Sequence, residues 1–128
     1  MLVVDDDRDI REMMSLYFEF CGYIVYGASD GAEAIAVAGR AKPDIILMDL
    51  MMPRMDGWEA TRRLKANAST SDIVVIALSA RSQSDEGQAA QRAGCAAFIS
   101  KPCNLVHLDA TMRELICRRP PPLRQSDN

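Results

Sequence analysis

The chain has 128 residues, 48% of them hydrophobic and 26% charged, and a formal net charge of -3, the size and balance of one globular domain with its own core. A pI near 5.1, with no basic stripe carrying interleaved aromatics, argues against direct nucleic-acid binding, so any DNA contact belongs to another module. No apolar stretch approaches the roughly 20 residues of a membrane span, and Met1 leads into a strand-like run rather than a charged n-region; a cytoplasmic protein with no membrane partner is expected.

Leu2 to Val4 is a short apolar run that reads as a buried strand and ends at Asp5 and Asp6. Asp7 to Cys21 has a helical period, with Ile10, Met13, Met14, Tyr17, Phe18 and Cys21 on the apolar side and Gly22 as the stop. Tyr23 to Ala28 is expected as strand two. Asp30-Gly31 opens a helix to about Arg40 with Ala34, Ile35, Val37 and Ala38 inward. Pro43 and Asp44 restart the chain into Ile45 to Met48, which ends at Asp49. Met52-Pro53 and Asp56-Gly57 form a loop, Trp58 to Ala66 a third helix, and Ile73 to Leu78 a fourth strand that ends at Ser79.

Ser84 to Ala93 reads as a weakly anchored helix, because it contains Gly87 and its apolar residues are alanines. Gly94 stops it, and Ala96 to Ile99 forms strand five, leading through Ser100 to Lys101-Pro102. The last helix, Leu105 to Cys117, turns Leu105, Val106, Leu108, Met112, Leu115 and Ile116 inward. Pro120 to Pro122 cannot continue it, so 1-118 is expected as one domain and 119-128 as a disordered Pro-rich tail or the start of a linker. Strands alternating with helices give a doubly wound parallel α/β sheet, five strands flanked by five helices.

Cys21, Cys95, Cys103 and Cys117 have neither CxxC pairing nor metal spacing, and read as reduced thiols. Cys21 and Cys117 are placed on apolar helix faces, and Cys103 in a loop that should face the site.

In open parallel sheets ligands sit beyond the carboxyl ends of the strands, so Asp5, Asp6, Asp49, Ser79 and Lys101 should converge. A carboxylate can attack phosphorus to form an aspartyl phosphate if the arriving charge is neutralised, and Asp49 is the candidate. Three crowded acids resist full ionisation unless a cation compensates, and Mg2+ suits carboxylate, carbonyl and water ligands. Lys101 supplies a charge to one phosphoryl oxygen and the Ser79 hydroxyl donates to another. Taken singly, an acid after a strand is more often a helix cap, and a serine or lysine there an ordinary loop residue. The joint pattern reverses that ranking.

Over residues 1 to 118 the sequence resembles the receiver domain of bacterial two-component response regulators, through LVVDDD, ILMDLMMPRMDG, ALSA and GCAAFISKP. The resemblance implies strand order 2-1-3-4-5. It also implies phosphoryl transfer to Asp49 from a sensor histidine kinase or histidine phosphotransfer protein. Mg2+ would be held by Asp6, Asp49 and the Met51 carbonyl, with Asp5 acting mainly through water. Ser79 and Phe98, three residues before Lys101, would form a switch that alters the surface of the fourth helix, fifth strand and fifth helix, where an unidentified output partner binds. From the residue alone, Phe98 reads as core. Lys101-Pro102 would be a cis peptide, Gly57 the turn glycine, and Pro53 would shape the loop before it.

Met51 and Arg81 stand at positions that in this family tune acyl-phosphate hydrolysis. Neither is suited to orient a water, so self-dephosphorylation is expected to be slow. Of the methionines near the loop, Met48 is assigned to the core, and Met51, Met52 and Met55 to the rim of the site. His107, the only histidine, reads as a surface residue.

Two alternatives are weighed. A haloacid-dehalogenase-type phosphohydrolase would use Asp5 as nucleophile and Asp7 as acid-base, but the chain lacks that motif's later residues. A receiver-like module that binds partners without phosphorylation is opposed by the complete acceptor set.

Overall fold

The structure is a computed structural model and describes residues 1-52, 55-79, 89, 91-101 and 104-118. Its strands are β1 (Leu2–Val4), β2 (Tyr26–Ala28), β3 (Ile45–Asp49), β4 (Val74–Ser79) and β5 (Ala97–Ser100). They pair in parallel in the order β2-β1-β3-β4-β5. Between them run α1 (Arg8–Phe20), α2 (Gly31–Ala41) and α3 (Gly57–Ala66), and the last helix spans Leu105–Arg118. The expected helix over 84-93 lies mostly outside the described residues, of which Ala89 and 91-93 are helical. The tail 119-128 lies outside them too. No described helix is long and apolar enough to cross a membrane.

The central strands β1, β3 and β4 are apolar on both faces because each face feeds its own core. Leu2, Val4, Ile46, Met48, Val75 and Ala77 pack with residues of α2 and α3. Alternate residues Val3, Ile45, Leu47, Ile76 and Leu78 pack with α1 and the last helix around Phe18, Leu108 and Met112.

The helices α1, α2, α3 and the last one each start at a side chain that accepts their orphan N–H groups. Asp7 caps α1, Asp30 caps α2 and Asp56 caps α3, and Asn104 accepts from Val106 and His107 at the last helix. Capping is therefore done by Asp7, Asp30, Asp56 and Asn104, and not by Asp5, Asp6 or Asp49.

Four expectations need correction. Strand two starts at Tyr26, not Tyr23: after Gly22 at φ 102° the Tyr23 N–H turns back to the Phe18 carbonyl, while the Met1 ammonium donates to the Ile24 carbonyl and the Tyr26 N–H to that of Met1. Met13 and Val106 are 52% and 68% exposed, because the apolar stripes of their helices are wider than the faces that reach the sheet. Cys117 is exposed at the last turn of its helix, while Cys21 is half-buried. Met52 belongs to the core rather than the rim.

Candidate phosphoacceptor site

Register brings the strand ends together. Asp49 on β3 pairs with Leu78 on β4, and Ser79 with Ser100 on β5. The ladders continue past them, since Leu50 N–H donates to the Leu78 carbonyl and Lys101 N–H to that of Ser79, at 3.0 and 2.7 Å. Ser79 is fully buried and Asp49 is 5% exposed.

Lys101 comes from the far end of the chain and lies between two acids. Its Nζ donates to Asp5 Oδ2 at 3.1 Å and stands 3.6 Å from Asp49 Oδ2. The other oxygens are held by backbone: Asp7 N–H donates to Asp5 Oδ1 at 2.9 Å, and Met51 N–H to Asp49 Oδ1 at 3.1 Å. Burial pulls the Lys101 ammonium down, but Asp5 and Asp49 outweigh it and hold its pKa above the ordinary value.

Asp49 shifts the other way from a paired carboxylate. Burial pushes its pKa up to about 6; the Met51 N–H and Lys101 oppose this, while Asp5 and Asp6 add to it. The acid is still mostly ionised at neutral pH, the form in which a carboxylate can act as a nucleophile. The linkage has a definite sign. Between pH 4 and about 6 the folded state keeps a proton that the unfolded chain has released, so stability of the metal-free protein falls as pH rises through that window. Asp49→Asn therefore stabilises the metal-free protein by about 1–2 kcal/mol at pH 7 and by almost nothing at pH 4. Urea unfolding in chelator at both pH values measures the difference; an equal effect at the two would contradict it.

One ligand atom from each of Asp5, Asp6 and Asp49 falls within 4.8 Å of the others, two residues buried and Asp6 exposed. Three carboxylates against one lysine is an oxygen-only, electronegative cluster, and it fits a hard divalent cation.

A family model described as the response regulator receiver domain matches residues 1–113. The chain belongs to that family. It is 40% identical over 121 residues to the response regulator MprA of Mycobacterium sp. strain KMS, covering 94% of the chain and 52% of the relative. The chain thus spans about half the length of the curated relatives it matches. Chemotaxis protein CheY4 of Vibrio cholerae superposes with a TM-score of 0.84 at 31% identity, over 88% of this chain and 94% of that one. The receiver domain of a signal transduction histidine kinase from Syntrophus aciditrophicus gives 0.83 at 30%, over 96% and 95%.

Other sequence readings fare unevenly. Phe98 is half-buried against the α2/α3 core, one register step from Ile76–Ala97 on β5. Met48 is core, Met51 is exposed at the rim, and Met55 packs over Gly31 at the start of α2. Gly57 is not a turn glycine: it is the first residue of α3, and its lack of a side chain admits the Asp49 carbonyl and Leu50 backbone. His107 is exposed. Pro53, Arg81, Pro102 and Cys103 lie outside the described residues. For the phosphohydrolase alternative Asp7 would have to be an acid-base, yet its Oδ1 accepts the Asp9 and Ile10 N–H groups that start α1. Arg11, whose Nη1 donates to the Asp5 carbonyl at 2.7 Å, is the residue that sequence reading missed; an arginine in a first helical turn carries no signal of a backbone contact.

Proposed function

We propose that Asp49 is the phosphoryl acceptor of this receiver domain, and that a histidine kinase or histidine phosphotransfer protein is its donor. One Asp49 carboxylate oxygen attacks phosphorus, the P–N bond to the donor imidazole breaks, and the departing imidazole nitrogen takes up a proton. Supporting this most directly is the ammonium of Lys101, 3.6 Å from Asp49 Oδ2, where it can neutralise an incoming phosphoryl oxygen. The Ser79 hydroxyl at the adjacent strand end donates to another. Mg2+, when bound, neutralises charge on the transferred group; Asp6, Asp49 and the Met51 carbonyl would hold it, with Asp5 acting through water.

In the same reading Ser79 and Phe98 form the switch that changes the surface of the fifth strand and the helices beside it, which an output partner reads. The domain runs through Arg118, and 119-128 is a tail or the start of a linker. The protein signals from the cytoplasm rather than turning over a substrate. Incubation with acetyl phosphate followed by intact mass spectrometry tests the reading. One phosphoryl increment is expected with Mg2+ and none with chelator; uptake indifferent to chelator would remove the metal from the account.

Met51 and Arg81 are assigned slow acyl-phosphate hydrolysis. Met51→Asn should shorten the lifetime of the phosphorylated protein, since a carboxamide can orient water where a thioether cannot. An unchanged lifetime would count against that assignment.

A further inference from the structure

We propose that Arg11 is a positioning residue for the divalent-cation site and that it acts by fixing the plane of the peptide between Asp5 and Asp6. The proposal rests on the reading of that cluster as a Mg2+ site.

Every polar group of Asp5 is tied down. Its N–H donates to the Ala28 carbonyl at 3.1 Å, its Oδ1 accepts from Asp7 N–H at 2.9 Å and its Oδ2 from Lys101 at 3.1 Å. Its carbonyl accepts the Arg11 guanidinium at 2.7 Å. Three of these contacts orient the residue itself. The fourth acts on the next one, because a planar peptide whose carbonyl is fixed also fixes where the Asp6 N and Cα stand, leaving rotation about its φ and χ1 to aim the carboxylate.

Asp6 is the exposed member of the acidic cluster, and no hydrogen bond holds its carboxylate among those described. Its aim toward Asp49 therefore depends on its backbone. Arg11 can hold that backbone because its stem lies along β2: a Cβ on Gly27 would stand 3.4 Å from Arg11 Cδ and 3.7 Å from Cγ. The guanidinium is thus braced between α1 and the sheet, not swinging in solvent. Groups that orient metal ligands from behind typically contribute 10–100-fold in affinity.

The sign of the effect separates this role from simple electrostatics. Arg11 is a cation close to a cation site, so through charge alone its removal tightens Mg2+ binding. Through positioning, its removal weakens binding. Isothermal titration calorimetry of Mg2+ into the whole chain is expected to show about tenfold weaker binding for Arg11→Met, with most of the loss recovered in Arg11→Lys, whose ammonium can still donate to the carbonyl. Equal or tighter binding in Arg11→Met overturns the proposal. If that variant does not fold in chelator, Arg11→Gln, too short to reach the carbonyl, is read by the same criterion. Wild-type protein that fails to bind Mg2+ overturns the metal site itself, an outcome distinct from failure of the Arg11 role.

Discussion

Gly57→Ala is expected to destabilise the domain by about 3 kcal/mol, the upper end of the usual overpacking cost. Helix propensity points the other way: Gly57 begins α3, and alanine in a helix is better than glycine by roughly 0.5–1 kcal/mol. Sterics decide the sign. A Cβ at Gly57 would stand 2.5 Å from the Asp49 carbonyl oxygen and 2.8 Å from the Leu50 Cα, both backbone atoms. Neither can move without displacing the end of β3, and with it Asp49. A control separates the two effects, because Gly39 in α2 has nothing within 4 Å of its notional Cβ. Gly39→Ala should therefore stabilise by about 0.5–1 kcal/mol. Chemical unfolding of both variants measures this, and a neutral or stabilised Gly57→Ala would show that the approach of α3 to β3 is looser than described.

Lys101→Met should slow phosphoryl uptake from a small donor by on the order of 10²-fold, the scale on which loss of one preorganised charge-stabilising group acts. The same change strips the cation from two buried acids, Asp5 and Asp49, at 3.1 and 3.6 Å. Removing one partner of a buried pair is commonly strongly destabilising, but Asp49 with its raised pKa can relieve part of the strain by taking a proton. The expected loss in the metal-free protein is about 1–2 kcal/mol. Mg2+ should restore much of it, since it supplies the positive charge that the lysine no longer brings. Uptake kinetics and unfolding with and without Mg2+ read the two effects separately. A variant that takes up phosphoryl at the wild-type rate would remove Lys101 from the chemistry.

The α/β fold was legible in the sequence because apolar runs ending at polar residues mark buried strands, and because helical periods between them are bounded by residues such as Asp30, Gly22 and Gly94. Family resemblance, rather than periodicity, supplied the strand order. What escaped reading were effects that depend on distance in space. Tyr23 to Val25 look like strand, yet the turn at Gly22 ties the Tyr23 N–H back to the Phe18 carbonyl, and Ile24 meets Met1 through a single hydrogen bond from the Met1 ammonium to its carbonyl. Met13 and Val106 look inward on a helical wheel, but each helix meets the sheet over a narrower arc than its apolar stripe. Gly57 looks like a turn residue beside Asp56, whereas its smallness serves the β3 backbone.

The candidate site was legible in the same uneven way. Asp5, Asp49 and Lys101 were found because each terminates a strand, and strand termini in such a sheet converge. Arg11 was invisible because it bonds a carbonyl, which no sequence pattern announces. Asp6 and Asp49 could be paired by motif, but the push on the Asp49 carboxyl toward about 6 arises from burial that only packing defines.

Peptide mapping by mass spectrometry, after treatment with acetyl phosphate and Mg2+, locates the acceptor most directly. A single phosphoryl group on Asp49, absent from an Asp49→Asn chain treated identically, is the predicted result. A label on Asp5, or one that persists in Asp49→Asn, would contradict it.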